Sequence, residues 1–132
     1  MEKTVILVVD DDFDTLYAIR KLLEQDGFDV LAAEGSILAY RLIEMRKPDM
    51  ILVDIMMPEM DGIGFIKSVR DNINASNIPI VAMTAYDETY LRQARDAGAI
   101  MTLRKPTEIP DVSATISLAL GRTQPPFEIT QN

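Results

Sequence analysis

Hydrophobic and polar positions alternate along the chain in two rhythms. The segments TVILVV (4–9), FDVLAA (28–33), MILV (50–53), IPIVAM (78–83) and IMTL (100–103) are short and rich in Val, Ile, Leu and Met. Three of them are nearly unbroken apolar runs, the pattern of parallel strands covered on both faces. The stretches between them carry helical spacing. Over 14–26, Leu16, Ile19, Leu22 and Leu23 fall on one face, and Gly27 is placed to stop the helix. Ser36 is placed to cap 37–46, where Leu38, Leu42 and Met45 share a face and Pro48 follows. Phe65, Ile66 and Val69 line 63–71; Asp87 can cap 88–97, which Gly98 ends. Val112, Thr115, Ile116, Ala119 and Leu120 line a last helix, with Pro110 near its start and Gly121 beyond its end.

This is a strand–helix unit repeated five times. Strands alternating with helices of this length imply right-handed crossovers and an open, doubly wound parallel sheet, an α/β fold. Ligands of such sheets bind outside the carboxyl ends of the strands, near the point where strand order reverses. The 132 residues fit one domain, expected over 1–121. Residues 122–132, RTQPPFEITQN, hold two prolines and no periodicity and are expected to form a flexible tail.

Composition narrows the chemistry. The chain has no Cys, which excludes disulfides and thiolate metal sites, and no His, which removes the usual zinc ligand and the commonest general base. A formal net charge of -8 argues against a nucleic-acid backbone as direct partner and suits a protein that meets cations or a basic surface. No apolar run approaches membrane-spanning length and MEKT is not a signal peptide, so a cytoplasmic protein is expected.

The carboxyl ends of the strands hold the reactive groups. The first strand runs into Asp10, Asp11 and Asp12; the third ends at Asp54 in LVDIMMPEMDG; the fourth ends at Thr84 in VAMTAYD; the fifth ends at Lys105 in LRKP. One Asp after a strand is ordinary N-cap chemistry, MPEMDG is good turn chemistry, Thr84 can cap a helix, and a lone Lys is usually solvated. Their joint placement on four strand ends carries the weight. Clustered carboxylates without His or Cys make a hard oxygen site, which suits Mg²⁺. A carboxylate beside such an ion can accept a phosphoryl group, with Lys as a second positive charge and Thr as a hydroxyl donor.

The series VVDD, DIMMPEMDG, Thr84 and Lys105–Pro106, in that order, resembles the receiver domain of bacterial two-component response regulators over roughly residues 3 to 120. The resemblance, to the stand-alone type, implies a flavodoxin-like five-stranded sheet in the order 2-1-3-4-5 with five helices. It implies Asp54 as phospho-acceptor, Mg²⁺ held by Asp10, Asp11, Asp54 and the backbone carbonyl of Met56, and Thr84 and Lys105 gripping the phosphoryl group. A cis bond between Lys105 and Pro106 belongs to the same pattern. The implied donor is a sensor histidine kinase or a phosphotransfer protein. The implied output is a repacked face of helix 4, strand 5 and helix 5 that meets a downstream protein, with slow self-dephosphorylation rather than enzymatic turnover.

Some positions depart from that pattern. Thr102 stands where an aromatic often moves on activation, and Tyr86 is a substitute relay only in principle. Met56 and Tyr86, both bulky and non-acidic, are expected to hinder the water that would hydrolyse the phosphorylated form. A second proline in TEIPDV is expected to shorten or redirect helix 5. Residues 122–132 are too few for an output domain, which leaves a stand-alone regulator or a fragment of a longer one. Three rivals are weighed. DFDT (12–15) approaches the motif of haloacid-dehalogenase-like phosphatases but lacks its glycine. Asp10, Asp12 and Asp14 have calcium-loop spacing, but Thr15 and Lys21 stand where Gly and Glu are needed. The serious alternative is a receiver fold used only for binding, with phosphorylation lost or optional.

Overall fold

A computed structural model describes residues 3–57, 60–84, 88–104 and 112–121. Five strands, β1 (Val5–Val9), β2 (Asp29–Ala33), β3 (Met50–Asp54), β4 (Ile80–Thr84) and β5 (Met101–Arg104), form one parallel sheet in the order β2-β1-β3-β4-β5. Five helices connect and follow them: α1 (Phe13–Gln25), α2 (Ser36–Met45), α3 (Gly62–Asp71), α4 (Glu88–Ala97) and α5 (Val112–Ala119). The predicted α/β fold and strand order are both realised.

The sheet sorts its side chains by the two-residue pleat. Ile6, Val8, Met50, Leu52, Val81 and Met83 pack with Leu16, Ile19 and Leu23 of α1 and Ile116 of α5. Leu7, Val9, Ile51, Val53, Ile80 and Ala82 point the other way, onto α2, α3 and α4. Every residue of β1, β3 and β4 is therefore buried, which is why these three strands read as continuous apolar runs. The edge strands β2 and β5 are only partly covered.

Two expectations for α2 fail. Gly35, not Ser36, is the N-cap, in an extended conformation without a side-chain cap bond, and Ser36 is already helical. The buried stripe is Ala39 and Ile43, one residue away from the Leu38–Leu42–Met45 stripe; Leu42 is partly buried, while Leu38 and Met45 are exposed. The helix offered two apolar stripes, and the one with the small Ala39 faces the sheet, where a small side chain permits close approach. The other helix faces match: Leu16, Ile19 and Leu23 of α1 and Phe65, Ile66 and Val69 of α3 are buried. Gly27 and Gly98 end α1 and α4 with φ of 94° and 130°, a left-handed region that disfavours other residues. α5, at eight residues, is the shortest described helix. Asp87, Pro110 and the tail lie outside the described residues.

Arg70 of α3 ties two turns together at the amino end of the sheet. Its Nη1 donates to the carbonyls of Ile78 (2.7 Å) and Ser76 (3.1 Å), and its Nε and Nη2 donate to the carbonyl of Gly98 (3.1 and 2.7 Å). Burial pulls the guanidinium pKa below its ordinary value.

Candidate functional site

The site begins with strand register. Val9 of β1 lies opposite Val53 of β3, so the next pair along these adjacent strands is Asp10 and Asp54. Each follows two residues after a side chain on the α1/α5 side, Val8 and Leu52. The pleat therefore sends both carboxylates to the same side, from strands about 5 Å apart. Asp10 is fully buried and Asp54 is 5% exposed, whereas Asp11 is open to solvent. One oxygen from each of Asp10, Asp11 and Asp54 can be chosen so that all three lie within 4.8 Å of one another.

Local hydrogen bonds hold the two buried acids. Asp10 continues the sheet by donating its N–H to the Ala33 carbonyl (3.1 Å), while its Oδ1 accepts from the Asp12 N–H (2.9 Å). Asp54 Oδ1 accepts from the Met56 N–H (3.0 Å), which fixes the backbone of Met56 beside that carboxylate. Ile55, between them, donates its N–H to the Met83 carbonyl of β4 (3.0 Å). After that the chain doubles back: Met56–Met57 pairs antiparallel with Met60–Asp61, and α3 starts at Gly62.

The third aspartate of the opening cluster has a different job. Asp12 is the N-cap of α1: its carbonyl takes the Leu16 N–H (3.0 Å), and its Oδ2 accepts the Thr15 hydroxyl (2.6 Å) rather than a backbone N–H. Thr84 ends β4 on the same sheet edge, fully buried, one residue beyond the Asp54–Met83 pair. Its register partner on β5 is Arg104, directly before Lys105. Lys105, Pro106 and Tyr86 lie outside the described residues. Thr102, in the aromatic position, is half-buried and accepts a hydrogen bond from Arg95 Nη1 of α4 at 3.3 Å.

The carboxylate set fits Mg²⁺. Octahedral coordination at about 2.1 Å places ligand oxygens about 3 to 4 Å apart, within the span of this cluster. Two of the three carboxylates are buried, where like charges repel most strongly, and a divalent cation offsets that repulsion.

An open parallel sheet with an acidic cluster at the carboxyl ends of adjacent central strands defines a flavodoxin-like α/β domain of the signalling receiver class. Residues 6–117 match the response regulator receiver domain family, and the chain belongs to that family. It is 36% identical over 121 residues to the response regulator MprA of Mycobacterium sp. (strain KMS), covering 91% of this chain and 52% of that protein. The Mycobacterium leprae (strain TN) MprA is 34% identical over the same length. The chain thus spans about half the length of the curated relatives it matches. Among solved structures, the chemotaxis response regulator CheY4 of Vibrio cholerae superposes with a TM-score of 0.82 at 25% identity, covering 89% of this chain and 99% of that one. A two-component response regulator from Clostridium difficile gives 0.82 at 28%, covering 91% and 98%. Residues 6–117 form a receiver domain of two-component signalling; such domains are in general not turnover enzymes and typically bind Mg²⁺ in an acidic pocket. No helix among the described residues is long and apolar enough to cross a membrane.

One site feature escaped the sequence. Gly62 stands so close to Ile55 that a β-carbon there would overlap the Ile55 Cα. The glycine of MPEMDG reads as turn chemistry; only the doubling back of the chain after Asp54 reveals what it touches.

Proposed function

We propose that Asp54 is the phospho-acceptor of a cytoplasmic signalling switch, supplied by a phosphohistidine on a sensor kinase or phosphotransfer protein. The observation that carries this is the convergence of Asp10, Asp11 and Asp54 within 4.8 Å at the open edge of the sheet, with Asp54 almost wholly buried. Asp10, Asp11, Asp54 and the Met56 carbonyl are the proposed Mg²⁺ ligands. When bound, the ion neutralises charge on the transferred phosphoryl oxygens.

The chain's own residues supply acceptance and positioning. An Asp54 carboxylate oxygen bonds to phosphorus as the phosphorus–nitrogen bond to the donor imidazole breaks, and that nitrogen keeps the electron pair and takes a proton. The Met56 N–H orients the acceptor through Asp54 Oδ1. Thr84 donates its hydroxyl to the phosphoryl group, and Lys105 supplies a positive charge. In the reset step water attacks phosphorus, the bond to Asp54 breaks, and inorganic phosphate leaves. The bulk of Met56 and Tyr86 slows that step, so the half-life exceeds that of fast chemotaxis regulators.

The signal passes by population shift: the phosphorylated state favours one arrangement of α4, β5 and α5, the surface offered to a downstream protein. The Arg95–Thr102 bond, which links α4 to β5 where other receivers carry a mobile aromatic, is the contact that shift has to break or keep. A protein donor lands on the rim beside Asp11, where Phe13 and Tyr17 are 65% and 58% exposed.

Incubation with acetyl phosphate and Mg²⁺, followed by intact-mass measurement, tests the proposal. One added phosphoryl mass, lost in Asp54→Ala, is expected. An unchanged mass would favour the alternative, a receiver fold that only binds.

A further inference from the structure

We propose that Gly62 is a positioning residue for Asp54: the lack of a β-carbon lets the start of α3 rest on the backbone of Ile55, and this contact sets where the acceptor carboxylate stands. The proposal rests on Asp54 being the acceptor. A β-carbon at Gly62 would overlap the Ile55 Cα and come within 2.9 Å of both its carbonyl carbon and its oxygen. Backbone atoms cannot swing aside as the end of a side chain can. Ile55 is also held from the other side, because its N–H is bonded to Met83 of β4 at 3.0 Å. A displacement forced from α3 therefore passes to its two neighbours, Asp54 and Met56, which are themselves joined by the Met56 N–H bond to Asp54 Oδ1.

Gly64 is a control two residues away on the same helix. A β-carbon there would meet first the Asp61 Oδ2 at 3.0 Å, the tip of a side chain that can rotate away. Alanine is the better helix former at both positions. Only at Gly62 does it collide with the backbone next to the acceptor.

The test compares Gly62→Ala with Gly64→Ala in the full chain. Three quantities are read: the rate of phosphorylation by acetyl phosphate at saturating Mg²⁺, the Mg²⁺ concentration for half-maximal rate, and the thermal midpoint by circular dichroism. A misplacement of about 1 Å costs on the order of a hundredfold in rate. Gly62→Ala is expected to lose about that much and to need more Mg²⁺ while keeping a cooperative fold. Gly64→Ala is expected to stay within about twofold of wild type, the scale of an ordinary surface change. Adding Ile55→Ala to Gly62→Ala is expected to restore nothing, since the collision is with backbone. Wild-type phosphorylation kinetics in Gly62→Ala, or recovery in the double variant, would overturn the proposal. If Gly62→Ala unfolds in buffer, the same assays in trimethylamine N-oxide keep the comparison. Unfolding even there, with Gly64→Ala folded, would make Gly62 a requirement of the whole fold and overturn the specific role. A wild-type protein that gains no phosphoryl group would sink the Asp54 assignment instead.

Discussion

At the scale of single residues, the site is a controlled conflict. Asp10 and Asp54 are forced together by register and pleat, and both are buried. Such a pair destabilises the metal-free fold and favours the metal-bound one. Asp10→Asn keeps an oxygen for the Asp12 N–H while removing one charge. It is expected to leave the metal-free melting temperature equal or higher and to abolish the rise on adding Mg²⁺. In wild type that rise corresponds to about 2.7 kcal/mol at an ion concentration a hundredfold above Kd, and chelation reverses it. A variant that melts lower without metal would contradict the repulsion. The placement of these groups was legible because Asp10 directly follows an apolar run, Asp11 comes next, and Asp54 and Thr84 each end one. The separation of Asp12 from the pair Asp10 and Asp11 came from the resemblance, not from the run of three aspartates itself. Asp12, exposed where Asp10 is buried, turns to Thr15 and serves α1. Gly62 was hidden for another reason, since a close approach between residues seven apart depends on how the chain folds back.

At the scale of elements, one arginine does the work of several caps. Arg70 bonds carbonyls from the α3–β4 connection and from the turn that ends α4. Gly98 has no β-carbon to obstruct it; one there would come within 2.7 Å of the Arg70 Cγ and Nε. Arg70→Met is expected to cost about 2 to 4 kcal/mol in urea unfolding, because partly buried carbonyls lose charged donors. Arg70→Lys should recover less than half, since an ammonium lacks the planar fork that spans both turns. A loss below about 0.5 kcal/mol would reduce the cluster to a surface contact. The elements themselves were readable from periodicity, with boundaries within two residues. The exception is the buried stripe of α2. Leu38 and Met45 are larger and more apolar than Ala39, so pattern alone favoured them. The sheet selected the stripe that packs closest, which no single helix encodes.

At the scale of the whole molecule, the proposed input and output surfaces are centred on different elements. Exposed Phe13 and Tyr17 lie on α1, which starts directly after the acidic cluster in the chain, whereas β5 is the sheet's edge strand opposite β2. Phe13→Ala is expected to slow phosphorylation by a phosphohistidine protein about tenfold, the effect of losing one aromatic contact of about 1.4 kcal/mol, and to leave the acetyl phosphate rate unchanged. Equal slowing with both donors would place Phe13 in the chemistry rather than the docking. On activation, changes in amide hydrogen exchange should gather in Glu88–Ala97 and Met101–Arg104, sparing Ser36–Met45. The parallel sheet and its acidic edge followed from the chain's alternating pattern, whereas the strand order came from the resemblance; the Arg95–Thr102 bond between α4 and β5 was not legible, because it depends on how the turn between them folds. The central claim is tested most directly by a crystal structure with Mg²⁺ and beryllofluoride. The account predicts the ion held by the Asp10–Asp11–Asp54 set and the Met56 carbonyl, beryllium bonded to Asp54, and fluorines met by Thr84 and Lys105. An ion bound elsewhere, or beryllofluoride absent from Asp54, would contradict it.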